Sequence, residues 1–440
     1  TEVLALGPEA MQPWAQGIVW DLRTIHLGYV QELDFWQDIE SGFDVDYMQS
    51  VLDDWADEEL WSMLRYGVQY KADLRLQTVL MPHLVSFREG YDTIQKEFVA
   101  LQDRGWFKIF NMPPFVPFRL LSRGSTPRPH DPTRSRPTSE FGAPRKLIET
   151  WAGEPVTPIN VASLGPEAIH DYLASVRCAS SSPATEDWDD SRAYSEEHME
   201  CDSDESDENE AGSRWPKEVK PTYDCVMKML LVLTSAAWFL QEPLFLFTDD
   251  ARNYFNQFKM SPVEYYKVVT LLRDSATRKA QFVAEYCMGF GATPASNIAQ
   301  RMSHAITECV LRVFQHEEEE YQLRHPPTER EAAWLQMRAE VSAATGRNEA
   351  RLFGMLMYTD DPLHACVGVG RTIRLLRSET RTLRRIGLLM GSAVKRQLGS
   401  LVKWTGAMTH AVGAIWAPTD KRVRVLSQLR TLLAKRMPLR

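Results

Sequence analysis

The chain has 440 residues, 44% of them hydrophobic and 25% charged, with a formal net charge of −9. That length exceeds one typical domain and that composition supports a sizeable core, which excludes a fibrous or wholly disordered chain. No stretch reads as about 18 uninterrupted apolar residues, so no membrane span is expected. The six cysteines form no CxxC pair and no zinc-ligand spacing. They fit thiols in a reducing intracellular compartment, cytoplasmic or nuclear, rather than disulfides or a metal cage.

The net charge hides a division. Residues 186–210 hold 13 Asp or Glu against one Arg, a net of −12, and without them the chain carries +3. Residues 371–440 hold 16 Lys or Arg against two acids. A basic region of this kind is the expected footprint of phosphate-backbone contact. A solvated helical face has the same composition.

Residues 1–90 are rich in Trp, Leu and acids, and 48–55 and 58–66 have helical periodicity. They carry no catalytic grouping, so a helical N-terminal extension is expected there. Residues 92–110 read as an amphipathic helix closing at Gly105. Residues 115–121 read as a strand carrying Arg119, with Arg123, Arg128, Arg134 and Arg136 following among Gly124 and several prolines. Residues 176–214 are rich in Ser, Asp and Glu and cannot bury enough apolar surface to offset ordering entropy, which predicts a disordered insert. Residues 224–240 then read as a helix, 295–314 and 329–344 as two more, and 371–386 as a basic amphipathic helix ending at Gly387.

Two stretches end in paired acids. The apolar, strand-like run 244–247 leads to Asp249 and Asp250. The run 352–358 leads to Asp360 and Asp361, and a second apolar run over 363–369 completes the pattern of a β-hairpin with its acids at the tip. Adjacent carboxylates repel and resist joint ionisation unless a cation sits between them. Mg²⁺ suits such a place, because it takes hard oxygen ligands and keeps positions for substrate phosphates. Two strands delivering acids at one end can hold two ions about 3.5–4 Å apart, which clamp both oxygens of a phosphoryl displacement. An ordinary Asp-Asp turn is the plain alternative for either pair.

The order of these segments resembles the palm of reverse transcriptases. Tyr358-Thr359-Asp360-Asp361 is similar to that family's Tyr-x-Asp-Asp box. Asp250, with Phe255 five residues on and Gln257 seven on, resembles its first metal-binding box. CMGFGATPASNIAQ, residues 287–300, resembles the box that grips template and primer, with Gly289 and Pro294 five apart. The resemblance covers residues 95–147 and 217–440.

The resemblance implies an α+β, right-hand polymerase fold. It divides the chain into a helical extension over 1–90, fingers over 91–175 and the acidic insert 176–214. A palm with an antiparallel sheet follows over 215–408, interrupted by an insertion at 316–350, and a partial thumb begins in 409–440. The implied activity is RNA-directed DNA synthesis, extending a DNA primer 3′-hydroxyl with dNTPs on an RNA or DNA template. Two Mg²⁺ ions, with Mn²⁺ as a substitute, would be held by Asp250, Asp360 and Asp361. Arg119 and Arg136 would reach the incoming triphosphate, Phe255 would exclude a 2′-hydroxyl, and Gln257 and Gly289 would line the nucleotide. Pro294, Trp404 and Gly406 would meet nucleic acid. Lys395, nine residues before Trp404, would protonate pyrophosphate. The chain departs from the family at Glu140-Phe141-Gly142, Asp249, Met288 and Pro362. Two other readings share these motifs: an RNA-templated RNA polymerase, and an inactive relative that only binds nucleic acid.

Overall fold

The computed structural model of the protein describes residues 42–70, most of 83–140, and 218–434 apart from 274–279, 290, 346–350 and 392–394. Arg119, the residues before 42 and the acidic insert lie outside the described residues.

In chain order the helices are α1 (Val45–Val51), α2 (Glu58–Tyr66), α3 (Tyr91–Gln102), α4 (Tyr223–Leu240), α5 (Thr293–Arg324), α6 (Glu329–Thr345), α7 (Val369–Ile386) and α8 (Thr419–Ala434). The first strands are β1 (Phe107–Phe110), β2 (Ser122–Arg128), β3 (Asp131–Glu140), β4 (Leu244–Thr248), β5 (Val269–Arg273) and β6 (Ala280–Glu285). After them come β7 (Phe353–Tyr358), β8 (Asp361–Val367), β9 (Gln397–Gly399), β10 (Leu401–Trp404), β11 (Ala407–His410) and β12 (Ala414–Trp416). The fold is mixed α+β, and its paired strands are antiparallel.

The chain divides into two compact units and passes between them more than once. One gathers Gln69–Lys217 and Met260–Pro294; the other gathers Asp38–Val68, Glu218–Lys259 and Ala295–Arg440. In the first unit, strands order β1-β6-β5, and β2-β3 form a separate hairpin. Helix α3 buries Ile94, Phe98 and Leu101 with Phe107, Leu272 and Val283 from the three-stranded sheet. The helix expected over 92–110 stops at Gln102. Gly105 takes φ +69, and 107–110 become strand β1. Apolar residues at Phe107 and Ile109 fit either period, and tertiary pairing with β6 decides it.

The second unit is built on a four-stranded sheet of order β7-β8-β4-β9. Each strand alternates its side chains between two faces. One face carries Leu244, Leu246, Leu363, Ala365 and Val367 into a core with α4, Trp334 of α6 and Trp404. The other carries Phe247, Phe353 and Cys366 against Phe314 of α5 and Leu375 of α7. Helix α1 lies in this unit, capped by Asp44, whose backbone N–H reaches Ile386 O at 2.8 Å. Helix α2 is capped by Asp57, which also pairs with Arg301 of α5.

Helices α4 and α7 bear on two sequence expectations. Helix α4 is long and apolar enough to cross a membrane by length and composition, although Asp224 and Lys228 interrupt its apolar run. Its buried residues Val226, Leu230, Leu233 and Ala236 pack on the sheet, as in the core helix of a folded domain. The basic residues of α7 are largely committed within the unit. Arg371 pairs with Glu318 and Glu331, Arg374 with Glu318, Arg381 with Glu317, and Arg385 with Asp44. Glu317 and Glu318 of α5 are thus counter-charges of α7, so this helix is weaker ground for a phosphate footprint than its composition implied.

Candidate active site

The paired acids lie at one end of the four-stranded sheet, all in the second unit. Strand β4, sequence LFLFT, is central, bonded to β8 on one side and β9 on the other. Thr248 stands opposite Leu363 on β8 and opposite Gln397 on β9. Continued for two residues, the β8 register sets Asp250 beside Asp361. The backbone supports that continuation: Ala251 N–H donates to Asp360 O at 2.9 Å. The residues expected to share a metal site, Asp250, Asp360 and Asp361, are therefore brought to one place although more than 100 positions separate the two pairs in the sequence.

The hairpin expected around the second pair is present. Tyr358 faces Asp361 as the closing pair of β7 and β8, leaving Thr359 and Asp360 as a two-residue loop. Thr359 takes φ +54, an uncommon place for a β-branched residue. Helix α5 holds that backbone. Gln300 accepts the Thr359 N–H at 2.9 Å and donates to Met357 O at 3.0 Å, while Ser303 Oγ donates to Thr359 O at 2.5 Å. Gln300 and Ser303 were missed as site residues. Gln300 closes the box read from 287–300, and its spacing on a helix was the available signal.

Charge is arranged with both signs. Burial first, then Asp360 and Asp250, pushes the Asp361 carboxyl up to about 7, while Lys395 opposes the rise. Lys395 Nζ donates to Asp250 Oδ2 at 2.5 Å, and Arg396 Nε lies 2.7 Å from Asp249 Oδ2. Burial raises the Asp249 carboxyl as well, against Arg396 and the Asp250 N–H. Gly391 has its N–H 2.6 Å from Asp250 O, and a Cβ there would meet Asp250 Oδ2 at 2.7 Å, so only glycine fits so close.

The remaining expected residues fall in several places. Phe255 is half-buried on the 3₁₀ turn Tyr254–Gln257 that follows the acids. Gln257 is buried, its amide donating to Arg252 O and Leu389 O at 2.8 and 3.0 Å and accepting the Leu389 N–H at 2.9 Å. That commitment ties the turn to the loop near Gly391 and leaves the Gln257 side chain no spare donor. Trp404 is buried, and its indole N–H donates to Asp361 O at 2.9 Å. Gly406, at φ +83, turns β10 into β11 next to Thr405 at φ +43. Lys220, not anticipated, lies 5.0 Å over the Tyr358 ring and bonds Ser296 at 2.9 Å. Pro294 is buried in the first turn of α5, where its missing N–H costs nothing.

In the first unit, Arg136 is on β3 opposite Thr126. The Gly289 N–H donates to Tyr70 Oη at 3.2 Å, and a Cβ on it would meet Glu285 Oε2 at 3.3 Å. The prominent arginine there is Arg123, which is buried and paired with Glu285, with its Nε on Thr270 at 3.0 Å. Burial lowers its guanidinium to about 10. Arg123 is thus a structural ion pair inside the unit.

Among the described residues, no three His, Cys, Asp or Glu side chains are already drawn into a metal cage. The donor set nevertheless suits a hard cation: carboxylates from two strands, with the Asp361 carboxyl raised by burial and by its acidic neighbours and an ammonium turned onto Asp250. A divalent ion relieves the same repulsion. No protein-family model matches the chain, and no curated protein matches it.

Proposed function

We propose that the chain is a reverse transcriptase: an RNA-directed DNA polymerase that extends a DNA primer on an RNA or DNA template with dNTPs. The observation that carries this reading is the junction of the two acid pairs, anchored by the Ala251 N–H on Asp360 O at 2.9 Å. The antiparallel order β7-β8-β4-β9, with helices on both faces, is in keeping with the palm of a right-hand polymerase. The sequence boxes supply the rest.

Asp250, Asp360 and Asp361 would hold the two Mg²⁺ ions, which supply charge stabilisation and a more acidic 3′-hydroxyl. The residues of the chain do the positioning. Gln300 and Ser303 fix the hairpin tip, and Trp404 ties the following hairpin to Asp361. Phe255 walls the sugar of the incoming nucleotide. Lys395 gives a proton to the departing pyrophosphate oxygen and regains one from solvent. Arg119, Arg136 and Gly289 remain the proposed triphosphate and nucleotide contacts, and Pro294 and Gly406 the proposed contacts to template and primer. Most of the rate gain in such a reaction comes from positioning and electrostatics.

The test is primer extension on poly-A annealed to oligo-dT with Mg²⁺. Wild type extends, and Asp360→Asn does not while keeping its circular dichroism spectrum. Extension by Asp360→Asn at the wild-type rate contradicts the proposal. Tight, salt-sensitive nucleic-acid binding by a wild type that never extends moves the chain to the binding-only reading.

A further inference from the structure

Asp249 is an acid at the site that the proposed chemistry leaves unused, and it is only 8% exposed. Its direction follows from the strand. Leu246 and Leu363 lie on one face of the sheet, and Asp250 and Asp361 continue that face. Phe247 lies on the other face, stacked on His364 with centroids 4.0 Å apart, and Asp249 continues that one. Strand β9 runs beside β4 with Gln397 opposite Thr248, and the two residues before it, Arg396 and Lys395, reach Asp249 and Asp250 by their side chains, while the Asp250 backbone is bonded to Gly391. The ion pairs Arg396–Asp249 and Lys395–Asp250 thus join neighbouring residues on both sides, just beyond the last paired rung of β4 and β9.

The Asp249 carboxylate uses both oxygens. Oδ1 accepts the Asp250 N–H at 2.9 Å, and Oδ2 meets Arg396 Nε at 2.7 Å. One side chain therefore grips the backbone that carries Asp250 and the strand that carries Lys395. An apolar residue at position 249 would make neither bond. A buried carboxylate that loses its partner is left as an uncompensated charge, so the pair is held firmly.

We propose that Asp249 and Arg396 are positioning residues: from the far face of the sheet they hold β9 in the register that delivers Lys395 to Asp250. The chemical use of Lys395 rests on the polymerase reading; the delivery itself does not. Arg396 acts through Lys395 and touches no reacting atom.

Two measurements on the full chain separate these points. In limited acetylation by acetic anhydride, read by mass spectrometry, exposed Lys403 serves as the internal reference. Arg396→Ala raises the reactivity of Lys395 relative to Lys403 by about threefold or more, the range expected for release of a partly exposed ion pair, and Arg396→Lys restores part of the protection. Unchanged Lys395 reactivity in Arg396→Ala and in Asp249→Asn overturns the inference. In primer extension, Arg396→Ala lowers kcat by roughly tenfold with the dNTP KM unchanged, and costs nothing further in a Lys395→Ala background. Equal losses in both backgrounds also overturn it. If wild type extends no primer, the polymerase reading falls and the acetylation result alone decides the positioning role.

Discussion

Gln300 on α5 and Thr359 at the hairpin tip are joined by a 2.9 Å hydrogen bond, and the same Gln300 amide returns a bond to Met357 O at 3.0 Å. The pair holds a β-branched residue at φ +54 directly before Asp360. Gln300→Met keeps the volume and orphans a buried N–H and a buried C=O, at about 1–3 kcal/mol per group. Denaturant titration should show a lower midpoint with an unchanged slope.

Asp361 makes stability depend on pH in the metal-free protein. Its folded carboxyl titrates near 7 against an ordinary value of 3.8, raised by burial, Asp360 and Asp250. The folded state therefore binds this proton more tightly than the unfolded chain does. The contribution is most favourable below the ordinary value, is lost as pH climbs from there to about 7, and is flat above. In chelator, Asp361→Asn should gain in Tm over wild type as pH rises from about 5 to about 8, with little difference at the acidic end. An advantage that does not grow with pH contradicts this assignment.

Phe255 sits half-buried on the turn after the first acid pair. If its ring walls off the sugar, Phe255→Ala should raise ribonucleotide incorporation relative to deoxynucleotide by roughly tenfold or more. The readout is the ratio of kcat/KM values for the matched nucleotides. An unchanged ratio assigns Phe255 to packing alone.

The Arg371–Glu318 pair is buried at 8% and 4% exposure, and Arg371 also bonds Val367 O at 2.6 Å. Arg371→Leu removes one of the two arginines on Glu318, which keeps Arg374, and also the bond to Val367 O, and should cost about 1–3 kcal/mol in unfolding experiments. Because this arginine faces inward, the salt slope of nucleic-acid binding should not change, whereas loss of a phosphate contact lowers that slope by about one.

The sequence disclosed what local chemistry determines. The paired acids, the hairpin around Tyr358, and the helix bounds at Glu58, Glu329 and Ile386 follow from period, caps and turn residues, and the structure has them. It did not disclose what depends on distant partners. Gln257 and Gln300 are both polar residues near motifs, and only the coordinates separate a bolt between loops from a clamp on the hairpin tip. Arg371 and Arg374 looked like a basic footprint because Glu318, their counter-charge, lies more than 50 positions earlier. Asp249 stood out only as a departure from the family, whereas Arg396, far along the chain, is its partner. The strand at 107–110 was hidden because its partner β6 lies far along the chain.

The account rests on Asp250, Asp360 and Asp361 jointly gripping divalent ions. The direct measurement is anomalous diffraction from crystals of the protein with primer-template, a matched dNTP and Mn²⁺ in place of Mg²⁺. Manganese peaks between the Asp250 carboxylate and those of Asp360 and Asp361 are the predicted result. A fully bound dNTP with manganese only at other residues, and these three carboxylates free of it, would contradict the account.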